Sequence, residues 1–232
     1  MIDSRHKNIL EILVREYIKT AEPVSSEKIA SRMRHSLSSA SVRNIFSDLT
    51  DEGYIEQPYV SGGRIPRSRG YRFFVDELLS GAAREAVIPE ALLRLCEEES
   101  QMHEATRLLQ EEIAHQFRVL SQFGTTMPIG FDQVLREPEF EEPSVIKEFG
   151  RFLDEFNESR NEYNDLLTPD SYQLFIGDEN NIQPHSRMSV VVGKDADAEL
   201  FFIAGPTRMP YDLIIGFMKI WKKSPLKIKK QK

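Results

Sequence analysis

The order of patterns in the first 80 residues constrains the fold more than any other feature of the sequence. Apolar residues recur there at helical spacing in three short stretches. These stretches predict helices at about residues 4–19, 26–32 and 40–51. Pro23 lies in the first break and disfavours helix in the residue before it, and Gly53 follows the third stretch as a residue suited to end a helix. Three helices joined by short turns predict a helix-turn-helix fold.

The third predicted helix separates its side chains by face, and a strand and a loop follow it. One face is apolar and comprises Val42, Ile45, Phe46 and Leu49. The opposite face is therefore polar. A short strand is expected at residues 54–57, and a loop with glycine and arginine at its tip is expected at residues 58–66. This order predicts a winged helix-turn-helix domain, whose third helix has the size to enter the major groove of DNA.

Side chains suited to DNA recognition fall on the third helix and on the loop. Serines at the helix start, together with free backbone N–H groups, are suited to hold a phosphate, and arginine and asparagine match the edges of guanine and adenine. Arginines near the loop are placed to reach a flanking DNA backbone or the minor groove. The predicted DNA-binding residues are Ser39, Ser41, Arg43, Asn44, Ser47, Arg64, Arg67 and Arg69. Each one alone also fits a solvated surface position, so the prediction depends on their joint order.

Charge divides the chain more sharply than the net charge of −7 indicates. Residues 1–80 hold 12 Lys and Arg against 11 Asp and Glu, whereas residues 81–218 hold 11 against 26. The last 14 residues carry seven lysines and no acid. Only the N-terminal region or the tail, residues 222–232, is therefore expected to approach a polyanion without repulsion, and the tail is expected to be disordered.

Several classes of protein are disfavoured by the residues present. The single cysteine, Cys96, excludes an internal disulfide framework and a cysteine-based zinc cluster. No stretch approaches the ~20 apolar residues of a membrane span, so a cytoplasmic protein with no membrane partner is expected. The five histidines are scattered, and no phosphate-loop or nucleophile-elbow motif is present. We therefore expect no enzymatic activity, no metal and no cofactor.

The middle of the chain predicts a long connecting helix. Residues 89–123 contain no glycine or proline after Pro89, and apolar residues recur every three or four positions. This stripe is expected both to pack on the C-terminal domain and to pair with a second copy in a homodimer, with pairing preferred. The predicted dimerisation residues are Met102, Leu109, Ile113, Phe117 and Leu120.

The remainder predicts an α+β body. A helix within residues 143–167 is expected to bury Val145, Ile146, Phe149, Phe152, Leu153 and Phe156. Three strands are expected at residues 172–176, 188–192 and 199–204, and a last helix at 210–221. The expected domains are a winged helix at 1–80, a helical connector at 81–124, an α+β domain at 125–221 and the basic tail.

Several motifs stand in one order along the chain. They are EPV at 22–24, SVRN at 41–44, SGGRIP at 61–66 and GYR at 70–72, with REPEF at 136–140, IGDEN at 176–180 and GPTRMPY at 205–211. This string resembles the bacterial family of heat-inducible transcription repressors, HrcA. Gly62 and Arg67 stand where that family has alanine and threonine. DNA binding is still expected with these two changes.

The resemblance implies a dimeric repressor that binds an inverted-repeat operator near chaperone genes, that heat inactivates, and that has the chaperonin as a partner. It also implies a GAF-like body. Because only residues 124–129 separate the helical segment from the next motif, this body is expected to be shortened and to lack its first strands. Two alternatives stay open from the residues alone: another winged-helix regulator with a ligand-sensing body, and a winged-helix module that binds a protein and no duplex.

Overall fold

The computed structural model describes residues 2–33, 36–60, 62–84, 86–97, 102–180, 185–195 and 197–222. Its contacts divide the chain into two compact units, unit 1 at residues 1–84 and unit 2 at residues 85–232. The expected turn at Arg34 and His35 and the lysines of the tail beyond residue 222 lie outside the described residues, so the expected disorder of the tail stays a prediction.

Unit 1 consists of four helices and a small antiparallel sheet. Its elements are α1 (Ser4–Thr20), α2 (Ser26–Arg32), α3 (Ser39–Asp51), β1 (Ile55–Glu56), β2 (Ile65–Pro66) and α4 (Ser68–Leu79). The first three helices begin where side chains cap them, because Asp3, Ser25 and Ser38 each accept a hydrogen bond from a backbone N–H of the following turn. Helix α4 was not predicted from the sequence.

One apolar core holds the helices of unit 1 together. It includes Ile9, Leu10, Leu13, Val42, Phe46, Leu49, Phe74, Val75 and Leu78, all at most 3% exposed. β1 and β2 pair antiparallel, with Ile55 opposite Pro66, and a further bridge joins Val24 to Arg64. The loop between β1 and β2 is therefore fixed at its base to the segment that leads into α2.

Unit 2 is a four-stranded antiparallel sheet with helices on both faces. Its elements are α5 (Glu90–Glu97), α6 (Met102–Phe117), β3 (Leu120–Phe123), α7 (Phe131–Val134), α8 (Pro143–Glu158), α9 (Arg160–Leu166), β4 (Ser171–Ile176), β5 (Met188–Lys194), β6 (Leu200–Pro206) and α10 (Tyr211–Trp221). The strand order is β3-β6-β5-β4. Helix and antiparallel sheet together confirm the predicted α+β class.

Aromatic side chains fill both interfaces of the sheet in unit 2. On one face, Phe149, Phe152 and Phe156 of α8 share a core with Phe202 and other strand residues. On the other face, Phe123 of β3 lies 5.2 Å from Trp221 of α10, ring centre to ring centre. Ile146 of α8 was expected in the core, but its side chain is 43% exposed, so that part of the prediction is wrong.

The predicted long helix at residues 89–123 is wrong at its end. Residues 120–123 form β3, which pairs with β6 so that Leu120 lies opposite Ala204. All four residues of β3 are buried. A strand buried on both faces lacks the alternation of polar and apolar residues that marks a half-exposed strand, so its sequence continued the helical pattern.

The predicted dimerisation residues are core residues of unit 2. Leu109, Ile113, Phe117 and Leu120 are each at most 1% exposed in the single chain, and the side chain of Met102 lies outside the described residues. A side chain that is already buried within one chain is not available to a second copy. The prediction that this stripe forms a dimer interface is therefore wrong for these four residues.

Candidate nucleic-acid interface

The outer face of α3 carries three of the predicted DNA-binding residues. Arg43, Asn44 and Ser47 are exposed, as the helical periodicity predicted. Within the described residues, the Asn44 side chain makes no hydrogen bond, so its amide is free for an external partner. Exposed side chains at positions i, i+1 and i+4 lie on one side of a helix, which suits contact with base edges.

The start of α3 is held by serines. The Ser38 hydroxyl accepts a hydrogen bond from the backbone N–H of Ser41 at 3.1 Å, and the two hydroxyl oxygens lie 2.9 Å apart. Ser39 and Ser41 are half-buried. Their hydroxyls lie at the helix N-terminus, where the helix dipole and free N–H groups favour an anion.

Arg43 is already paired within unit 1. Its Nη2 donates to Glu27 Oε1 at 2.7 Å, and its Nε donates to Ser26 Oγ at 3.2 Å, so the guanidinium joins α3 to α2. The hydrogen bond from Arg43 lowers the pKa of Glu27 to about 2. Glu27 was not among the residues singled out from the sequence, since its partner lies 16 positions away. Contacts with α2 therefore position the Arg43 guanidinium before any ligand binds.

Arg64 lies at the base of the loop rather than at its tip. Its backbone N–H and C=O exchange hydrogen bonds of 2.9 Å with Val24, and its guanidinium lies 5.9 Å from the centre of the Phe46 ring. Its Nε is buried and has no hydrogen-bond partner among the described residues. A Cβ on Gly63 would lie 2.5 Å from the Val24 carbonyl, so this close pairing requires glycine there.

Arg67 and Arg69 lie just beyond the loop. Arg67 is 56% exposed and its Nε donates to Glu56 Oε2 at 2.6 Å. The Arg69 guanidinium lies 4.4 Å from the centre of the Tyr54 ring and donates to the Glu52 carbonyl. Both arginines are therefore held in place by unit 1 before any ligand binds.

A histidine bridge joins the start of α1 to α3. His6 Nδ1 lies 2.8 Å from Asp3 Oδ1, and His6 Nε2 lies 3.1 Å from Asp48 Oδ2. Hydrogen bonding to Asp3 raises the pKa of His6, and the same contact lowers the pKa of Asp3 to about 2. Two carboxylates on the two ring nitrogens favour the doubly protonated ring. No local sequence pattern indicates this contact, because 42 positions separate His6 from Asp48.

Residues of the unit 2 motifs make contacts with one another and with other residues inside unit 2. Arg208 is 5% exposed, and its guanidinium pairs with Glu139 at 2.6 Å and with Glu137. The motifs at 136–140 and 205–211 are therefore joined by one ion-pair cluster. In the third motif, Asn180 Nδ2 donates to the hydroxyl of Tyr163 at 2.6 Å, and burial raises the pKa of Tyr163 to about 12.

An open groove of about 640 Å³ lies on unit 2. It is lined by Ser144, Lys147, Glu148, Arg151, Glu155, Asp178, His185, Ser186 and Arg187. Arg187 pairs with Glu148 at 2.7 Å and His185 pairs with Glu155 at 2.9 Å. In the described part of the chain, no group of three or more His, Cys, Asp or Glu side chains is arranged to hold a metal ion.

Comparison with known proteins gives the family. The sequence matches the family described as HrcA protein C-terminal domain over residues 49–215, which is more than half of the chain. The chain belongs to the HrcA family. The resemblance drawn from the motifs is therefore confirmed, and this C-terminal domain fits the expected GAF-like body.

The curated relatives of this HrcA chain are named heat-inducible transcription repressor HrcA. The one from Caldanaerobacter subterraneus subsp. tengcongensis is 45% identical over 93 residues, which is 40% of this chain and 27% of the relative. One from Clostridium perfringens is 40% identical over 114 residues, or 49% and 33% of the two chains, and one from Desulforudis audaxviator is 53% identical over 78 residues, or 34% and 23%. The aligned segments span a third or less of each relative.

One solved structure shares the fold of the HrcA chain. A crystal structure described as that of a hypothetical protein superposes with a TM-score of 0.73 and 16% sequence identity, over 96% of this chain and 99% of the other. Among the described residues, no helix is both long and apolar enough to cross a bilayer.

Proposed function

We propose that this HrcA chain is a sequence-specific DNA-binding transcription repressor of heat-shock (chaperone) genes, and that unit 1 is its winged helix-turn-helix domain. The observation that carries the proposal is the exposed polar face of α3, with Asn44 free and Arg43 beside it, in a unit whose loop and α4 start carry further arginines. The family's curated members, named as transcription repressors, support the same conclusion.

Each predicted residue has a proposed role at the DNA. Asn44, Arg43 and Ser47 read base edges in the major groove, since they share the exposed side of α3. Ser39 and Ser41 hold a phosphate at the α3 N-terminus. The arginines beyond the loop, Arg67 and Arg69, hold the backbone beside the groove, with Arg64 supporting the base of the loop.

The repressor is proposed to act as a homodimer on an inverted repeat. Two copies of α3 must then lie roughly 34 Å apart, or a multiple of that, to reach two half-sites. Because Leu109, Ile113 and Phe117 are core residues, the dimer surface is proposed to lie on other residues of unit 2. By family membership, heat is the inactivating signal and the chaperonin is the partner that restores the active fold.

Selection of operators from random duplex DNA with the full chain, at defined salt, tests this proposal. The expected result is an enriched inverted repeat, and Asn44→Ala should relax preference at one position of each half-site. Asn161→Ala is the matched control, because Asn161 is exposed on α9 of unit 2. Recovery of no preferred sequence would refute the proposal, and absence of duplex binding at low salt would favour a protein-interaction module instead.

A further inference from the structure

Two apolar side chains at the loop tip of unit 1 face water. Tyr59 is 58% exposed and Val60 is 98% exposed. The turn that carries them is nevertheless fixed: the Gly62 N–H donates to the Tyr59 carbonyl at 2.8 Å, and the Gln57 side-chain amide donates to the carbonyls of Val60 and Gly62 at 2.8 and 3.2 Å. The position of the exposed pair is therefore set before a partner binds.

Steric crowding within this turn favours glycine at position 62. A Cβ at Gly62 would lie 2.6 Å from Cε2 of the Tyr59 ring, which is closer than carbon atoms approach without movement. The ring of Tyr59 therefore lies over the Gly62 backbone. An alanine at Gly62 would displace the Tyr59 ring from its present place.

The charge around the tip favours a polyanion as its occupant. Residues 57–72 carry four arginines and no carboxylate, and Glu56, which directly precedes them, pairs with one of the four, Arg67. Among them, Arg67 is 56% exposed and lies just past β2. Some DNA-binding proteins insert apolar side chains into the minor groove and bend the duplex there. Basic residues beside those side chains contact the DNA backbone. An apolar tip flanked by arginines has this chemistry.

We propose that Tyr59 and Val60 make an apolar contact in the minor groove of DNA that flanks the bases read by α3. This inference rests on the proposed function, because it requires α3 in the major groove of the same duplex. The tip then adds a sequence preference outside the α3 contact. It favours flanking A·T pairs, which lack an amino group on the minor-groove floor, and base steps that deform readily.

Binding of the full chain to the selected operator, followed by fluorescence anisotropy over a range of salt, tests the tip. Val60→Ser removes a 98% exposed side chain, so the fold should be retained and a melting curve checks that it is. We expect affinity to fall by about tenfold, from loss of one or two buried methyl groups and from the added hydroxyl, with an unchanged salt slope because no charge is lost. Val87→Ser, at an 84% exposed valine of unit 2, should change nothing.

A modified operator locates the contact. Replacement of flanking adenines by 2,6-diaminopurine adds an amino group to the minor-groove floor and leaves the major-groove edge unchanged. The wild-type chain should lose affinity for this operator, whereas Val60→Ser and Tyr59→Ala should be insensitive to the change. If the wild type selects an operator but both variants bind it with wild-type affinity and flank preference, the tip proposal is overturned and the proposed function stands. If the wild type binds no duplex, both are overturned.

Discussion

The two units differ in where they place their arginines. In unit 1, Arg67 and Arg69 are exposed residues: Arg67 pairs with Glu56, and Arg69 contacts the Glu52 carbonyl and the Tyr54 ring. In unit 2, Arg208 is 5% exposed and bound to two glutamates. Arginines therefore lie on an exposed surface in unit 1 and in an internal ion pair in unit 2, and the two uses differ in the burial of the arginine.

The largest expected effect is the loss of operator binding when heat unfolds unit 2. Residues 85–232, which form unit 2, carry 26 Asp and Glu against 17 Lys and Arg, and the repulsion among the excess acids opposes compaction of unit 2. If dimerisation depends on unit 2, its unfolding removes the simultaneous contact with two half-sites, and operator affinity should collapse at that temperature. Calorimetry and fluorescence anisotropy on one temperature axis measure both events. Added salt should raise the melting temperature while it weakens DNA binding, and a folded dimer that has released DNA would point to a ligand or partner instead.

Arg208→Ala tests the brace of unit 2 directly. The substitution leaves Glu137 and Glu139 without their buried partner, so the free energy of unfolding of unit 2 should fall by about 3–5 kcal/mol. The temperature of DNA release should fall with it. The matched control is Arg136→Ala, because Arg136 is 74% exposed and lies 3.6 Å from Asp132, where a pair contributes less than about 1 kcal/mol.

Denaturant unfolding, followed by the fluorescence of Trp221, measures both arginine variants. Further substitution of Glu137→Gln and Glu139→Gln in the Arg208→Ala chain should restore part of the stability, because it removes the two charges that Arg208 had paired. Equal losses from Arg208→Ala and Arg136→Ala would show that the buried cluster has no special part in stability.

Sequence reasoning succeeded where the structure is local. Periodicity was sufficient to predict helices α1, α2 and α3 and the polar face of α3, because these features depend on residues within one or two turns. The contacts of His6 with Asp48 and of Arg208 with Glu139 join residues 42 and 69 positions apart, and no local pattern encodes such pairs.

Tertiary pairing explains the main error in the fold. β3 exists because Leu120 and Phe123 pair with β6, which begins 77 residues after β3 ends, and both faces of the strand are covered. Its apolar residues therefore matched the preceding helix and gave no strand signal. The predicted dimer interface failed for the same reason, since the apolar face of α6 is required by the sheet of its own chain.

A smaller effect separates base reading from backbone contact within unit 1. Asn44→Ala should cost ~1–3 kcal/mol of discrimination at one base position, because a bidentate amide contact is lost. Arg67→Ala should weaken binding to all sequences alike and reduce the salt slope by about one phosphate contact. Competition binding with operators mutated one base pair at a time, at three salt concentrations, measures both quantities. Equal, sequence-independent losses from the two substitutions would refute this division of roles.

The smallest expected effect is a pH dependence of unit 1 through His6. Its folded pKa is raised by Asp3 and Asp48, so protonated His6 stabilises unit 1 fully below the ordinary pKa of 6.5, and this contribution is lost as pH rises through the folded pKa. The pKa of Asp3 is lowered to about 2, so its contribution is present above its ordinary value of 3.8 and is lost as pH falls toward 2. Amide hydrogen exchange in α1 should therefore be slower at pH 5.5 than at pH 8, after correction for the intrinsic rates.

His6→Gln isolates that contribution to the stability of unit 1. The difference between pH 5.5 and pH 8 should be less than about 1 kcal/mol, since Asp3 and Asp48 are largely exposed and solvent screens the pairs. It should disappear in His6→Gln and persist in His115→Gln, because His115 lies exposed on α6 of unit 2. Since Asp48 lies on α3, the same titration should alter the protection of α3 amides in step with α1. If α1 changes and α3 does not, His6 acts only as a partner of the Asp3 cap, and the bridge between the two helices contributes nothing to unit 1.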